Sequence, residues 1–242
     1  MFQGRTVLLL PLIIGLAGVV KSQGYTSSPS VKTPATINLG ETLRNDFLKF
    51  STQNIKGTPF LNDSFLYSDI WLHDNKSYSL KTRLNLITQK LHFLNEAGSE
   101  LTTTGESVKK VTFFSDTSSH NSLGSLTFSC GYPEINGNSY YTFYQQMNDG
   151  KVILLKHLTK VLITHAAAPT MPVYKEFEEG EIYYIYNSGN SNIQKLKKTK
   201  DFVLNFLTEK RKAVQNFIDS TNINLKHELD LLKLLEYYNS LN

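Results

Sequence analysis

Residues 140–158 read YYTFYQQMNDGKVILLKHL, two apolar-rich runs on either side of Asn148-Asp149-Gly150. An Asp-Gly pair supplies the positive φ angles of a tight antiparallel connection. Tyr140–Met147 and Val152–Leu158 are therefore expected to form a β-hairpin. A second hairpin is expected to join Ile182–Tyr186 to Ile193–Leu196 through Asn187-Ser188-Gly189-Asn190. Ala166–Pro172 reads as a proline-flanked loop between the two. Upstream, Tyr78, Leu80, Thr82, Leu84 and Leu86 alternate with Lys81, Arg83 and Asn85, the period of a half-exposed strand. His73–Lys76 reads as the turn before that strand. Asn95–Gly98 reads as the turn after a strand around Leu91 and Phe93.

From Thr199 the period becomes helical. Phe202, Val203, Phe206 and Leu207 share a face behind Thr199 as N-cap, and Val214, Phe217 and Ile218 share one behind Thr208. Leu225, Leu229, Leu232 and Leu235, widened by Leu231, Leu234 and Tyr238, form a stripe that needs a partner. The fold class expected is α+β: a mostly antiparallel sheet or open barrel of hairpins, then a helical C-terminal segment. The expected divisions are residues 1–22, a signal peptide; 23–56, a flexible leader with a short helix at Glu41–Ser51; 57–198, the β-rich domain; and 199–242, helices packed on it.

Met1–Arg5 carries one positive charge, and Val7–Val20 is an apolar run broken by Pro11, Gly15 and Gly18. At about 1.5 Å per residue this run is roughly 21 Å long, short of a hydrocarbon core of about 30 Å. A cleaved signal is expected rather than an uncleaved anchor, with Val20 and Ser22 at the −3 and −1 positions and Gln23 as the new N-terminus. No cysteine near that junction offers a lipid attachment point. Export to a periplasm or the outside is the expected address, with no transmembrane segment after cleavage.

The 242-residue chain has 25 basic and 21 acidic side chains. Loss of Arg5 and Lys21 with the signal leaves 23 basic against 21 acidic, a net of +2. Only Lys195–Lys200 approaches a basic cluster, so no nucleic-acid partner is expected. Cys130 is the sole cysteine, which excludes an internal disulfide and fits a bacterial envelope protein held by ordinary packing.

Three pieces carry a resemblance: Gly57-Thr58-Pro59-Phe60-Leu61 leading to Trp71–Asn75; the Tyr140–Leu158 hairpin with Gly150–Lys156; and Leu229–Leu241. Together they resemble an uncharacterised family of exported proteins from Bacteroidota. That resemblance implies an envelope address and a sheet-then-helices order, and it implies no activity.

Histidines 73, 92, 120, 157, 165 and 227 lack metal-ligand spacing, and there is no Gly-x-Ser-x-Gly elbow. No catalytic residue, metal or cofactor is expected. Cys130 is read as a buried small residue rather than a thiolate nucleophile or thiol sensor. Glu176, Glu178, Glu179 and Glu181 are read as a solvated strand edge. The alternative is a hydrolase of envelope polymers that uses paired carboxylates. A binding surface would draw on Trp71, Tyr78, Tyr140, Tyr144 and Tyr183, aromatic side chains set among strands. The expectation is thus a non-enzymatic binding or scaffolding protein, its partner an unidentified envelope protein or polymer.

Overall fold

A computed structural model describes residues 55–114, 125–166 and 173–241. The signal, its Ser22–Gln23 junction, the leader with its helix, and most of the Ala166–Pro172 loop lie outside those residues. Among the described residues eleven strands form one sheet. They are β1 (Ile55–Lys56), β2 (Leu66–Leu72), β3 (Ser77–Asn85), β4 (Lys90–Leu94), β5 (Glu100–Thr103), β6 (Val108–Phe113), β7 (Leu126–Ser129), β8 (Tyr144–Gln146), β9 (Val152–His165), β10 (Tyr174–Asn187) and β11 (Asn192–Lys195). Three helices follow among the described residues: α1 (Lys200–Phe206), α2 (Arg211–Thr221) and α3 (Glu228–Ser240). The sheet order is β5-β4-β3-β2-β6-β7-β8-β9-β10, with β1 and β11 both on the far side of β10. All pairs are antiparallel except β1 with β10. The order does not close on itself, so the molecule is a sheet and not a closed barrel. Among the described residues no helix is long and apolar enough to cross a membrane.

Local sequence explains the connections. Asn75, at φ 65°, turns β2 into β3, and Gly98, at φ 76°, turns β4 into β5. Between β3 and β4 the Asn85 Oδ1 accepts from the backbone of Ile87 and Thr88, both at 3.0 Å. The β9–β10 register runs without a break from Val152↔Asn187 to His165↔Tyr174.

Two expectations need correcting. The Asp149-Gly150 turn is present, with Gly150 at φ 119°, but β8 has only three residues where Tyr140–Met147 was expected to be strand. Tyr140–Phe143 is diverted because the Phe143 N–H donates to Gln89 Oε1 (3.1 Å) and the Thr142 N–H to Ser139 O (3.1 Å). Thr199 caps α1 as expected, accepting from the Phe202 N–H. Thr208 does not cap α2: Thr208–Lys210 forms a 3₁₀ turn and the helix begins at Arg211 without a side-chain cap. Arg211 instead reaches back to Leu204 O (3.1 Å) and Asn205 Oδ1 (2.7 Å), binding a carbonyl that the end of α1 leaves open.

Because directly paired residues share a face, the first half of the β9–β10 hairpin has two buried sides. Val152, Leu154 and Ile185 face the helices and meet Val203, Leu207, Val214, Leu231, Leu234 and Tyr238. Leu155 and Tyr184 face the other way, with Tyr132, Tyr144 and Ile193. A third cluster, including Ile70, Leu84, Leu91, Val111, Phe113, Phe128 and Phe143, lies under the β2–β7 half. Helix α3 is fastened at both ends. Near its start Lys156 and Tyr183 bind Glu228, the Tyr183 hydroxyl donating at 2.6 Å. Near its end Asn239 accepts from the Val152 N–H (2.9 Å) and donates to Asp149 O (3.0 Å) and Val152 O (2.8 Å).

Candidate functional site

Three loops at one end of the sheet form an open cleft of about 290 Å³. The β3–β4 turn supplies Thr88 and Gln89, the β5–β6 turn Thr104 and Glu106, and the β7–β8 loop Gly137, Ser139, Tyr141 and Thr142. A second hollow of about 360 Å³, lined by Glu134–Ser139, shares Gly137 and Ser139 with it.

Each wall is held from behind. In the β7–β8 loop Asn136 (φ 52°) and Gly137 (φ 81°) are both left-handed, and Ile135 and Asn138 exchange backbone hydrogen bonds of 3.1 and 2.9 Å around them. This is a type I′ geometry, and Asn-Gly is its preferred pair. Asn138 Nδ2 lies 3.3 Å from the Tyr184 hydroxyl and 3.4 Å from His157 Nδ1, tying the loop to the β9–β10 hairpin. Burial lowers the His157 pKa, so the ring is neutral at pH 7 and its Nδ1 can accept from that amide. The β5–β6 turn is fixed through Gly105, whose carbonyl accepts from His73 Nε2 at 2.8 Å. A Cβ at Gly105 would stand 2.2 Å from Tyr141 O. Only glycine lets the two loops approach this closely.

The lining carries four hydroxyl-bearing chains, Thr88, Thr104, Ser139 and Thr142, beside the Glu106 carboxylate. Gln89 is committed to its own loops, its side chain accepting from Phe143 N–H and donating to Leu86 O (3.1 Å each). Tyr141 contributes a ring 43% exposed, edge-on to Tyr140 (47% exposed) with centroids 5.6 Å apart. An aromatic face beside hydroxyls and a carboxylate suits a ligand with C–H faces and many O–H donors.

The four tyrosines and one tryptophan expected to form a binding surface do not come together. Tyr144 is 1% exposed and belongs to the core, edge-on to Tyr132 and Tyr184. Trp71 is half-buried under Lys110, whose Nζ lies 4.0 Å from the ring centroid. Tyr78 pairs with Ile70, so it points to the opposite face from Trp71, the partner of Ser77. Tyr183 belongs to the network that anchors α3. None of the five lines the cleft; Tyr140 only packs edge-on against Tyr141, which does. Tyr141 was missed because an unbroken strand would have placed that ring by alternation. The Asn136-Gly137 pair was the available signal for the loop.

The other candidate chemistries fall into place around this site. The Cys130 thiol is buried and donates to Val108 O at 3.1 Å, and burial pushes it up to about 11. It is a protonated core side chain at neutral pH. Glu181 and Glu228 form a carboxylate pair bridged by the Tyr183 hydroxyl at 3.1 and 2.6 Å. Burial would raise Glu228, but hydrogen bonds from Lys156 and Tyr183 and the charges of Lys156 and Lys198 outweigh it and lower the carboxyl. A Glu228 carboxylate held ionised in this way has no proton to donate to a leaving group. Glu179 pairs with Lys160 at 3.0 Å, while Glu176 and Glu178 each lie 3.7 Å from His165 Nε2.

No family model, curated protein or solved structure matches this chain.

Proposed function

We propose that this chain is an exported bacterial envelope protein that, after cleavage behind Ser22, binds a polyhydroxylated envelope polymer without chemical change. The cleft where Tyr141 meets Glu106 and four hydroxyl side chains carries this reading. Its volume, its open form along the surface and the pairing of an aromatic ring with hydroxyls suit one or two sugar units of a longer chain. The apolar run broken by Pro11, Gly15 and Gly18 supports the exported address, and the resemblance to exported Bacteroidota proteins points the same way.

The mature chain from Gln23, titrated calorimetrically with soluble envelope polysaccharide fragments, should bind. Tyr141→Ala should weaken binding about tenfold, equivalent to about 1.4 kcal/mol, and Glu106→Gln should weaken it less. Affinity indifferent to both substitutions would remove the cleft from the proposal. Release of new reducing ends would overturn its non-enzymatic part.

A further inference from the structure

The hairpin of β9 and β10 outruns the sheet it belongs to. β8 pairs with β9 only at Leu155 and Lys156, whereas β9 continues to His165. Among the described residues no backbone hydrogen bond reaches the outer edge of Thr159–His165, whose ladder runs to β10 alone. Such an edge is a row of free donors and acceptors, and proteins normally guard it with charge, proline or a bulge.

The two edges of this ribbon differ in that respect. On β10, Glu178, Glu179 and Glu181 are exposed along the stretch between its pairings with β1 and β11. A second copy brought to that edge would meet like charge. On β9 the sequence Val161-Leu162-Ile163-Thr164 carries no charge, no proline and no glycine. Val161 is 58% exposed, and Ile163 is exposed beside it. The one cation, Lys160, is already occupied: its Nζ donates to Phe60 O at 2.8 Å and pairs with Glu179.

We infer that the Thr159–His165 edge of β9 joins two copies of this chain, antiparallel about a two-fold axis at Leu162. Facing residues in an antiparallel pair must lie on the same side of the sheet, so a two-fold axis has to pass between a residue and its own copy. An axis at Lys160 would oppose the two lysines. An axis at Leu162 spans the whole free edge, Thr159 facing His165 of the second copy, and sets Lys160 against Thr164. It also places Val161 opposite Ile163 on one face. On the other face Phe177 and Leu162, partners across the hairpin, meet the same pair from the second copy in an apolar row of four. The contact is isologous and closed, so it yields a dimer and not a fibre.

Sedimentation equilibrium of the mature chain is expected to give twice the monomer mass, and a monomer mass at every concentration overturns the inference. Val161→Asp together with Ile163→Asp should return the monomer with an unchanged circular dichroism spectrum. Register is read by oxidation. Leu162→Cys lies opposite itself at a Cα separation of about 4.5–5.5 Å, within the disulfide range, and should cross-link two chains nearly completely. Thr164→Cys lies opposite Lys160 and should stay unlinked. A dimer that cross-links through Thr164→Cys, or through neither, places the contact elsewhere and overturns this one. The test reads mass and cross-linking alone, so it stands or falls independently of ligand binding in the cleft.

Discussion

The two halves of the β9–β10 hairpin share one uninterrupted register and live in different surroundings. From Val152 to His157 the ribbon has helices on one face and the tyrosine cluster on the other. From Leu158 to His165 that double cover ends, and Val161 and Val173 are more than half exposed. Backbone pairing is the same along both halves, so the ladder alone does not decide which part is core. Side-chain burial does, at about 25 cal/mol per Å² of apolar surface. The base is where stability is stored, and among the described residues the distal half buries less apolar surface.

The largest expected effect tests that division directly. Leu154 is fully buried between sheet and helices, and Leu154→Ala should cost about 2–5 kcal/mol in a urea titration. Val161→Ala, on the same strand, should change monomer stability by less than about 0.5 kcal/mol. Comparable losses at both positions would break the comparison, because they would show that the distal half is also structural core.

Asn239→Ala sharpens it at an intermediate level. The substitution removes three hydrogen bonds that clamp the end of α3 to the β8–β9 turn and leaves the Val152 N–H and carbonyl without that partner. A loss of about 1–3 kcal/mol is expected. Gly150 shares this clamp, since a Cβ there would stand 2.5 Å from Asn239 Nδ2. The turn therefore uses glycine for its φ of 119° and for the close approach of the helix end.

Much of this was legible in the sequence, and the limits have physical causes. Alternation at Leu80, Thr82 and Leu84 marked the inner face of β3; the leucine spacing of α3 marked Leu231, Leu234, Leu235 and Tyr238 as buried but also counted Leu229 in the stripe, and that side chain is 70% exposed. Both are local periods, which survive packing. The early end of β8 was not legible, because it depends on Gln89, 54 residues away in sequence, capturing the Phe143 N–H. The cleft is a meeting of three loops whose adjacency follows from strand order. The open edge of β9 is a difference in length between β8 and β9 that no single segment encodes.

His157 stands where the two halves join, opposite Ile182, and gives the smallest test. Its ring is 7% exposed, with Asn138 and the Tyr144 and Tyr184 rings on its side. Burial lowers its pKa below the ordinary 6.5. The unfolded chain therefore binds a proton at higher pH than the folded one does, and stability rises with pH across that interval. The contribution is fully present above about 6.5 and is lost as pH falls below it. Glu100 and Glu228 are also lowered, from 4.5, so their losses belong to more acidic solution. Urea midpoints measured between pH 7.5 and 5.5 should fall with acidification in the parent chain and flatten in His157→Gln. An equal slope in both would show that this boundary does not sense the proton, and the coupling of the cleft loop to the hairpin through Asn138 would then be steric rather than electrostatic.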